Sequence, residues 1–198
     1  MQLATSFSAT LPSWLLDDLD ALPERLRTDE ERMRLVNDLA DRNWRAGNGG
    51  PFAAIVVDDA TGALVSVGVN VVLSSGLTAA HAEVVALSLA QTALGRWDLG
   101  AGEASLSLIV NWRPCVQCYG ATMWSGVRRL VVAGEGPLLE ELTGFDEGPV
   151  VGDWAEQFEA RGIHVVSGVG REDAVAVYRA YGSSDAVVYN ARGSVSSG

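Results

Sequence analysis

The chain has 198 residues, 48% of them hydrophobic and 20% charged, which suits one globular domain with a substantial core. No stretch approaches the roughly 18 apolar residues that a membrane span needs, and residues 1–10 do not read as a secretory signal, so we expect a cytoplasmic protein. The formal net charge of −11 argues against a nucleic-acid ligand and favours a small-molecule substrate.

The N-terminal part begins with a short amphipathic helix, predicted from leucines at helical spacing. Thr28 and Glu31 then form a capping-box pattern for a longer helix. This helix should end at the glycine-rich breaker sequence 47–51. Two apolar runs, 52–57 and 63–72, are predicted to form strands joined as a hairpin.

The rest of the chain alternates between predicted helices and strands. In chain order these are helix 78–94, strand 105–110, helix 115–124, strand 129–133, a loop-rich stretch 134–152, helix 153–161, strand 163–167 and helix 171–181. A hairpin followed by such alternation predicts an α/β fold with helices on both faces of the sheet. We divide the chain into a helical lead-in (1–27), a single domain (28–182) and a tail (183–198).

Two short sequence motifs indicate a metal-dependent active site. His-Ala-Glu over residues 81–83 is weak by itself, because a histidine at a helix start is usually a cap or a buried hydrogen-bonding group. Pro-Cys-Val-Gln-Cys over residues 114–118 is stronger, since a helix N-terminus favours thiolates. Together they offer one imidazole and two thiolates. Three protein ligands leave a zinc ion with a position for water, as in catalytic sites, and Glu83 is free to transfer protons.

His-x-Glu followed by Pro-Cys-x-x-Cys is the signature of the zinc nucleobase deaminases. From about Thr28 to Phe145 the chain resembles the zinc-dependent cytidine-deaminase-like superfamily, and most closely the bacterial guanine deaminases and related nucleobase deaminases. The supporting stretches are 47–54, 68–70, 78–84, 118–121, Trp124 and 144–147. The resemblance implies a three-layer fold with a mixed five-stranded sheet and helices on both faces, and a homodimer. It also implies hydrolysis of an exocyclic amino group on a purine-, pyrimidine- or triazine-like heterocycle, giving a carbonyl and ammonia.

The resemblance also implies residue roles. His81, Cys115 and Cys118 would hold Zn²⁺, and Glu83 would be the catalytic proton shuttle. The substrate-binding residues it implies are Asn70, Phe52, Ala82, Trp124, Asp146 and Glu147. The chain departs from the family pattern near this site: Arg113 stands where a glutamate is usual, and Asn111 and Trp112 replace small residues. These departures leave open which heterocycle is the substrate.

Three alternative functions remain at this point. A tRNA adenosine deaminase would share the metal core but would need a basic surface. A thiol–disulfide protein would use Cys115 and Cys118 and would leave His81 and Glu83 without a role. A structural zinc protein would need a fourth ligand, for which His164 is the candidate.

Overall fold

A five-stranded mixed sheet forms the centre of the fold in the computed structural model, which describes residues 3–190. The strands are β1 Ala53–Asp58, β2 Leu64–Val69, β3 Leu106–Val110, β4 Arg129–Val132 and β5 His164–Ser167. Their order is β2–β1–β3–β4–β5. Strand β1 is antiparallel to both β2 and β3, whereas β3, β4 and β5 run parallel. The predicted hairpin and mixed sheet are therefore confirmed.

Eight α-helices surround the sheet in the described part of the chain. They are α1 Ser13–Asp18, α2 Asp29–Arg45, α3 Val72–Ser75, α4 Ala82–Leu94, α5 Val116–Ser125, α6 Leu138–Thr143, α7 Trp154–Glu159 and α8 Arg171–Gly182. Residues of α2, α6 and α8 join one buried apolar cluster, and residues of α4 and α7 join a second. Adjacent strand residues alternate between the clusters, as the pleat requires: Ile55 and Ile109 face the first, and Val56 and Leu108 face the second. The fold thus has the three predicted layers.

The start of the long helix α2 follows the sequence pattern closely. The Thr28 side chain accepts a hydrogen bond from the Glu31 N–H at 3.2 Å, and the Glu31 carboxylate accepts one from the Thr28 N–H at 3.3 Å. This reciprocal pair satisfies two N–H groups that an uncapped helix would leave without partners. The predicted capping box is confirmed.

One helix prediction and one loop prediction were wrong in detail. Helix α4 begins at Ala82, not at residue 78, and His81 is an extended N-cap with φ −69° and ψ 156°. The preceding segment is held away from helical geometry, since the Ala80 carbonyl accepts a hydrogen bond from the Val71 N–H. The loop-rich stretch contains the unpredicted helix α6, which starts after Pro137 and has only six residues. Such a length is too short to show a helical period.

Gly68 brings α4 close to the sheet and so sets the position of His81 and Glu83. A Cβ at Gly68 would lie 2.4 Å from both the Ala82 carbonyl oxygen and the Ala86 nitrogen. These atoms are helix backbone and cannot move aside singly, so any side chain here must displace the first turns of α4 from β2.

We therefore expect Gly68→Ala to destabilise the fold by about 1–3 kcal/mol, the usual range for overpacking, and to lower activity as well. Urea denaturation gives the free energy of unfolding. Gly120→Ala is the matched control, because a Cβ at this helical glycine meets no atom within 4 Å. It should be neutral or stabilising. Equal stability of Gly68→Ala and the wild type would contradict the close approach of α4.

The segments flanking the predicted domain contact its core. Leu15 of α1 is fully buried in the first cluster, and Tyr189 packs against the same cluster. The division into lead-in, domain and tail stays a prediction, and residues 191–198 of the tail lie outside the described part of the chain.

Within residues 3–190, no helix combines the length and the apolar character that crossing a membrane requires.

Candidate active site and metal centre

The three predicted metal ligands meet at one point. His81 is the N-cap of α4, Cys115 is the N-cap of α5, and Cys118 lies in the first turn of α5. Within residues 3–190 these side chains form a group whose potential ligand atoms all lie within 4.8 Å of one another. Helices α4 and α5 contact each other, and their N-terminal ends, which carry these three residues, come together.

The distances within this group fit a tetrahedral zinc site. The Nδ1 atom of His81 lies 3.4 Å from the Sγ of Cys115 and 3.5 Å from the Sγ of Cys118. Zinc–sulfur bonds of about 2.3 Å and zinc–nitrogen bonds of about 2.0 Å, at tetrahedral angles, place nitrogen and sulfur roughly 3.5 Å apart. The donor set, one imidazole and two thiols, is also one that zinc prefers.

The environment of the cysteines favours a thiolate. Hydrogen bonding from Cys118, followed by that from His81, lowers the pKa of Cys115 to about 4. The pKa of Cys118 is raised, because Cys118 shares that hydrogen bond with Cys115 and is buried. These contacts favour the thiolate form of Cys115, and a bound cation would favour loss of the proton from Cys118 as well.

Glu83 lies in the first turn of α4, two residues after His81, and its side chain is buried. Burial is the main cause that raises the pKa of its carboxyl group. A carboxyl group with a raised pKa holds a proton more readily than a free one, which suits a group that must both accept and donate a proton in general acid–base catalysis. Glu83 lines the same cavity as His81 and Cys115.

A cavity of about 610 Å³ opens in front of these residues. Its volume is in the range of small-molecule sites. Four of the residues predicted to bind substrate line it: Phe52, Asn70, Asp146 and Glu147. The Phe52 ring is half-buried and packs edge-on against Phe145 at a centroid distance of 5.4 Å, so the cavity has an aromatic wall.

Asn70 is held in one orientation by its neighbours. Its Oδ1 atom accepts hydrogen bonds from the Val72 N–H at 3.2 Å and from the Tyr189 hydroxyl at 2.7 Å. A Cβ at Gly49 would lie 2.3 Å from the same oxygen, so the glycine is needed for this close approach. With Oδ1 engaged in this way, Nδ2 is the group of Asn70 that can donate to a ligand in the cavity.

The two acids of the loop after α6 differ in environment. Asp146 is exposed, and its Oδ1 accepts a hydrogen bond from the Gly148 N–H, which closes a turn. Glu147 is 9% exposed, and burial, followed by the negative charge of Cys115, raises its pKa to about 8. Its carbonyl accepts from the Val116 N–H at 3.0 Å, which ties this loop to the start of α5.

Comparison with known proteins agrees with this geometry. Residues 26–134, more than half of the chain, match the family described as the cytidine and deoxycytidylate deaminase zinc-binding region. The chain belongs to this family. The predicted resemblance, the predicted zinc cofactor and the predicted class of enzyme, a zinc-dependent aminohydrolase, are thereby confirmed.

Several relatives within the deaminase family are similar to this chain. The solved guanine deaminase from Nitrosomonas europaea is 40% identical, with a TM-score of 0.85, over 93% of this chain and 100% of that chain. A structure of that protein in complex with 2,6-diaminopurine is 42% identical, with a TM-score of 0.85, over 94% of this chain and 98% of that chain.

The guanine deaminase of Bacillus subtilis is 37% identical over 55% of this chain and 65% of its own length. The tRNA-specific adenosine deaminase of Haemophilus influenzae is 33% identical over 57% of this chain and 62% of its own length. The chain thus spans less than two thirds of these two curated relatives.

Two of the predicted substrate-binding residues are not on the cavity wall within the single chain. The Trp124 side chain is 78% exposed and lies beside a separate shallow depression between α4 and α5, outside the cavity lining of its own chain, and its role in substrate binding stays a prediction. The short helix α5 turns Cys118 inward and Trp124, six residues later, outward. Ala82 is fully buried between His81 and Glu83, and its role stays a prediction.

Three further residues of this deaminase site had no predicted role in binding. Trp112 and Arg113, known from the sequence only as departures from the family pattern, both line the cavity. Tyr189 lines it from the C-terminal segment, and its hydroxyl also accepts a hydrogen bond from the Gly50 N–H at 2.8 Å. No sequence spacing could have indicated Tyr189, because it lies 119 positions after Asn70 in the chain. His164 lies on β5 with an exposed side chain paired to Glu159, away from the metal group.

Proposed function

We propose that this chain is a zinc-dependent deaminase of a free purine base, with guanine as the substrate to test first. One observation carries the proposal: His81, Cys115 and Cys118 converge beside a buried glutamate on a cavity of about 610 Å³. Two relatives are guanine deaminases, and one of them has been solved with 2,6-diaminopurine. The proposed reaction replaces an exocyclic amino group by a carbonyl and releases ammonia.

The proposed mechanism assigns each proton transfer to Glu83. Bound zinc supplies Lewis acidity, which makes water a nucleophile near neutral pH. The Glu83 carboxylate takes a proton from the attacking water and gives it to the ring nitrogen beside the attacked carbon. It then carries the proton of the newly added hydroxyl group to the amine, so that the carbon–nitrogen bond breaks, ammonia leaves and a carbonyl remains. Its buried position keeps bulk water from competing for these protons.

The other cavity residues bind and orient the ring. Phe52 packs against its face, and the Nδ2 group of Asn70 donates to a ring acceptor. Glu147 accepts hydrogen bonds from ring N–H groups, and its carboxylate form is favoured when such donors are present. Held in this way, the ring presents its amino-bearing carbon to the metal ligands and Glu83.

Glu147→Gln should weaken substrate binding more than it slows chemistry. A glutamine amide presents an NH₂ group where the ring also presents N–H, so a favourable contact becomes a repulsive one. We expect KM for guanine to rise by about tenfold or more, with a smaller fall in kcat. Steady-state ammonia release measures both constants. Asp146→Asn, made in parallel, should change KM less, because Asp146 is exposed; the opposite ranking would show that Asp146 reads the base.

A substrate panel tests the proposal itself. Guanine, 2,6-diaminopurine, adenine, cytosine, guanosine, an aminotriazine and an anticodon stem-loop are compared by ammonia release and product chromatography. We expect the largest kcat/KM for guanine. A larger value for the stem-loop would favour the tRNA adenosine deaminase alternative, and one for the triazine or cytosine would keep the reaction and change the substrate. Disulfide reductase activity in a protein free of stoichiometric zinc would favour the thiol–disulfide alternative.

The remaining partner assignments belong to the same proposal. A homodimer and a cytoplasmic location stay predictions, as does the absence of nucleic-acid binding. Light scattering at several protein concentrations checks the first of these, and a C2 dimer of about twice 20.9 kDa is the expected result.

A further inference from the structure

An ion pair joins the segment before Cys115 to the helix that leads into the Glu147 loop, and both Cys115 and Glu147 line the cavity. Arg113 lies two residues before Cys115, and its Nη2 donates to Oε1 of Glu140 at 2.7 Å. Glu140 belongs to α6, the helix that leads into the loop of Glu147. The Arg113 side chain is 10% exposed and the Glu140 side chain 28% exposed, so the pair is held largely away from water.

Each member of the ion pair has a buried polar atom without a hydrogen bond, which is unfavourable for a contact that serves stability alone. Nη1 of Arg113 and Oε2 of Glu140 are buried and have no hydrogen-bond partner among the described residues. Each buried polar atom without a partner is costly, and buried ion pairs can often be replaced by apolar side chains without loss of stability. A role beyond stability is therefore the better explanation for a pair in this place.

The position of the pair connects it to Glu147. The Glu140 carbonyl accepts a hydrogen bond from the Gly144 N–H at 2.8 Å, which fixes where the loop leaves α6. The backbone of Arg113 is also fixed: its N–H donates a hydrogen bond to the Gly134 carbonyl at 2.9 Å, just after β4. The two charges of the pair act on Glu147 in opposite directions: burial is the main cause that raises its pKa, the positive charge of Arg113 lowers it, and the negative charge of Glu140 raises it.

We propose that Arg113 and Glu140 act together as positioning residues that hold Glu147 in place to read the substrate, and so determine how tightly the base binds. This inference rests on the proposed function. The pair does not touch the reacting atoms; it fixes the Glu147 loop relative to the segment of Cys115. Loss of the pair should therefore weaken binding, with chemistry, zinc content and stability largely retained.

The test compares four proteins: the wild type, the double variant Arg113→Met with Glu140→Leu, the single variant Glu147→Gln, and the triple variant. KM and kcat for guanine, zinc content and Tm are measured for each. In the double variant we expect KM to rise about tenfold, kcat to stay within about threefold, and Tm to be unchanged or higher. With Gln at 147, adding the double substitution should change KM by less than about twofold, because both changes act through one carboxylate.

A merely structural role gives a different pattern. A double variant that folds and has the wild-type KM overturns the inference. The inference is also overturned if the double substitution raises KM by the same factor in the wild type and in the Glu147→Gln variant. Should the double variant not fold, Glu140→Gln keeps the shape of the side chain and removes its charge, and it must then raise KM in the same way. Arg45→Met with Asp41→Leu removes an exposed ion pair on α2 and is the matched control, with no change expected.

The wild-type assay separates this inference from the proposed function. A wild type that does not deaminate guanine counts against the function proposed above, and the four proteins are then compared on the best substrate of the panel. A wild type that deaminates guanine, with KM unaffected by loss of the pair, counts against the inference alone.

Discussion

Glu83→Gln is expected to lose turnover of guanine by about 10²–10⁴-fold, the usual contribution of a positioned acid–base group, and to keep its zinc. The amide has nearly the shape of the carboxyl group but can neither accept the proton of the attacking water nor deliver it to the ring. Glu83 is buried next to the metal ligands and is not needed as a ligand itself. Single-turnover ammonia release and metal analysis by mass spectrometry measure the two quantities.

The matched control is Glu156→Gln, the same substitution at an exposed position on α7, for which we expect wild-type turnover. If Glu83→Gln kept a rate near that of the wild type, Glu83 would not be the proton shuttle. If it lost both zinc and activity, Glu83 would have to be regarded as part of the metal site.

Cys118→Ser is expected to lose bound zinc and, with it, at least about 10³-fold in turnover, since metal activation of water is worth several kcal/mol. Cys118 is fully buried, and the serine hydroxyl is a far weaker ligand than a thiolate. Zinc binding also stabilises a folded site, so Tm should fall together with the zinc content. The measurements are zinc per chain after dialysis, Tm, and kcat/KM.

His164→Ala serves as the control for this variant and tests the structural-zinc alternative. The His164 side chain is 65% exposed on the edge strand β5 and is paired with Glu159. The variant should therefore retain both zinc and activity. Loss of zinc from His164→Ala would make this histidine a fourth ligand and would contradict a catalytic site with three protein ligands.

Features set by local chemistry could be predicted from the sequence. The capping box of Thr28 and Glu31 depends on residues three apart, and the metal group depends on two short motifs that each start a helix. The hairpin and the alternation of strands and helices indicated the three-layer fold. In each of these cases the determining interactions lie within one element or between neighbouring elements.

Features set by tertiary packing could not be predicted in this way. The contact of Tyr189 with Asn70 joins distant segments through a side-chain hydrogen bond that leaves no pattern in the sequence. The outward direction of Trp124 depends on which face of a short, largely apolar helix packs inward. The choice of Glu147 over Asp146 as the buried acid depends on a turn closed by Asp146. The pairing of Arg113 with Glu140 likewise required the structure.

The account depends most on zinc held by His81, Cys115 and Cys118, and the most direct test is ammonia release from guanine as a function of zinc content. Protein stripped by a chelator is reloaded with increasing amounts of zinc, and the initial rate is measured at each step. We predict a rate that rises in proportion to bound zinc and levels off at one ion per chain. A stripped protein, shown by metal analysis to be free of zinc, that still releases ammonia at the full rate would contradict the account.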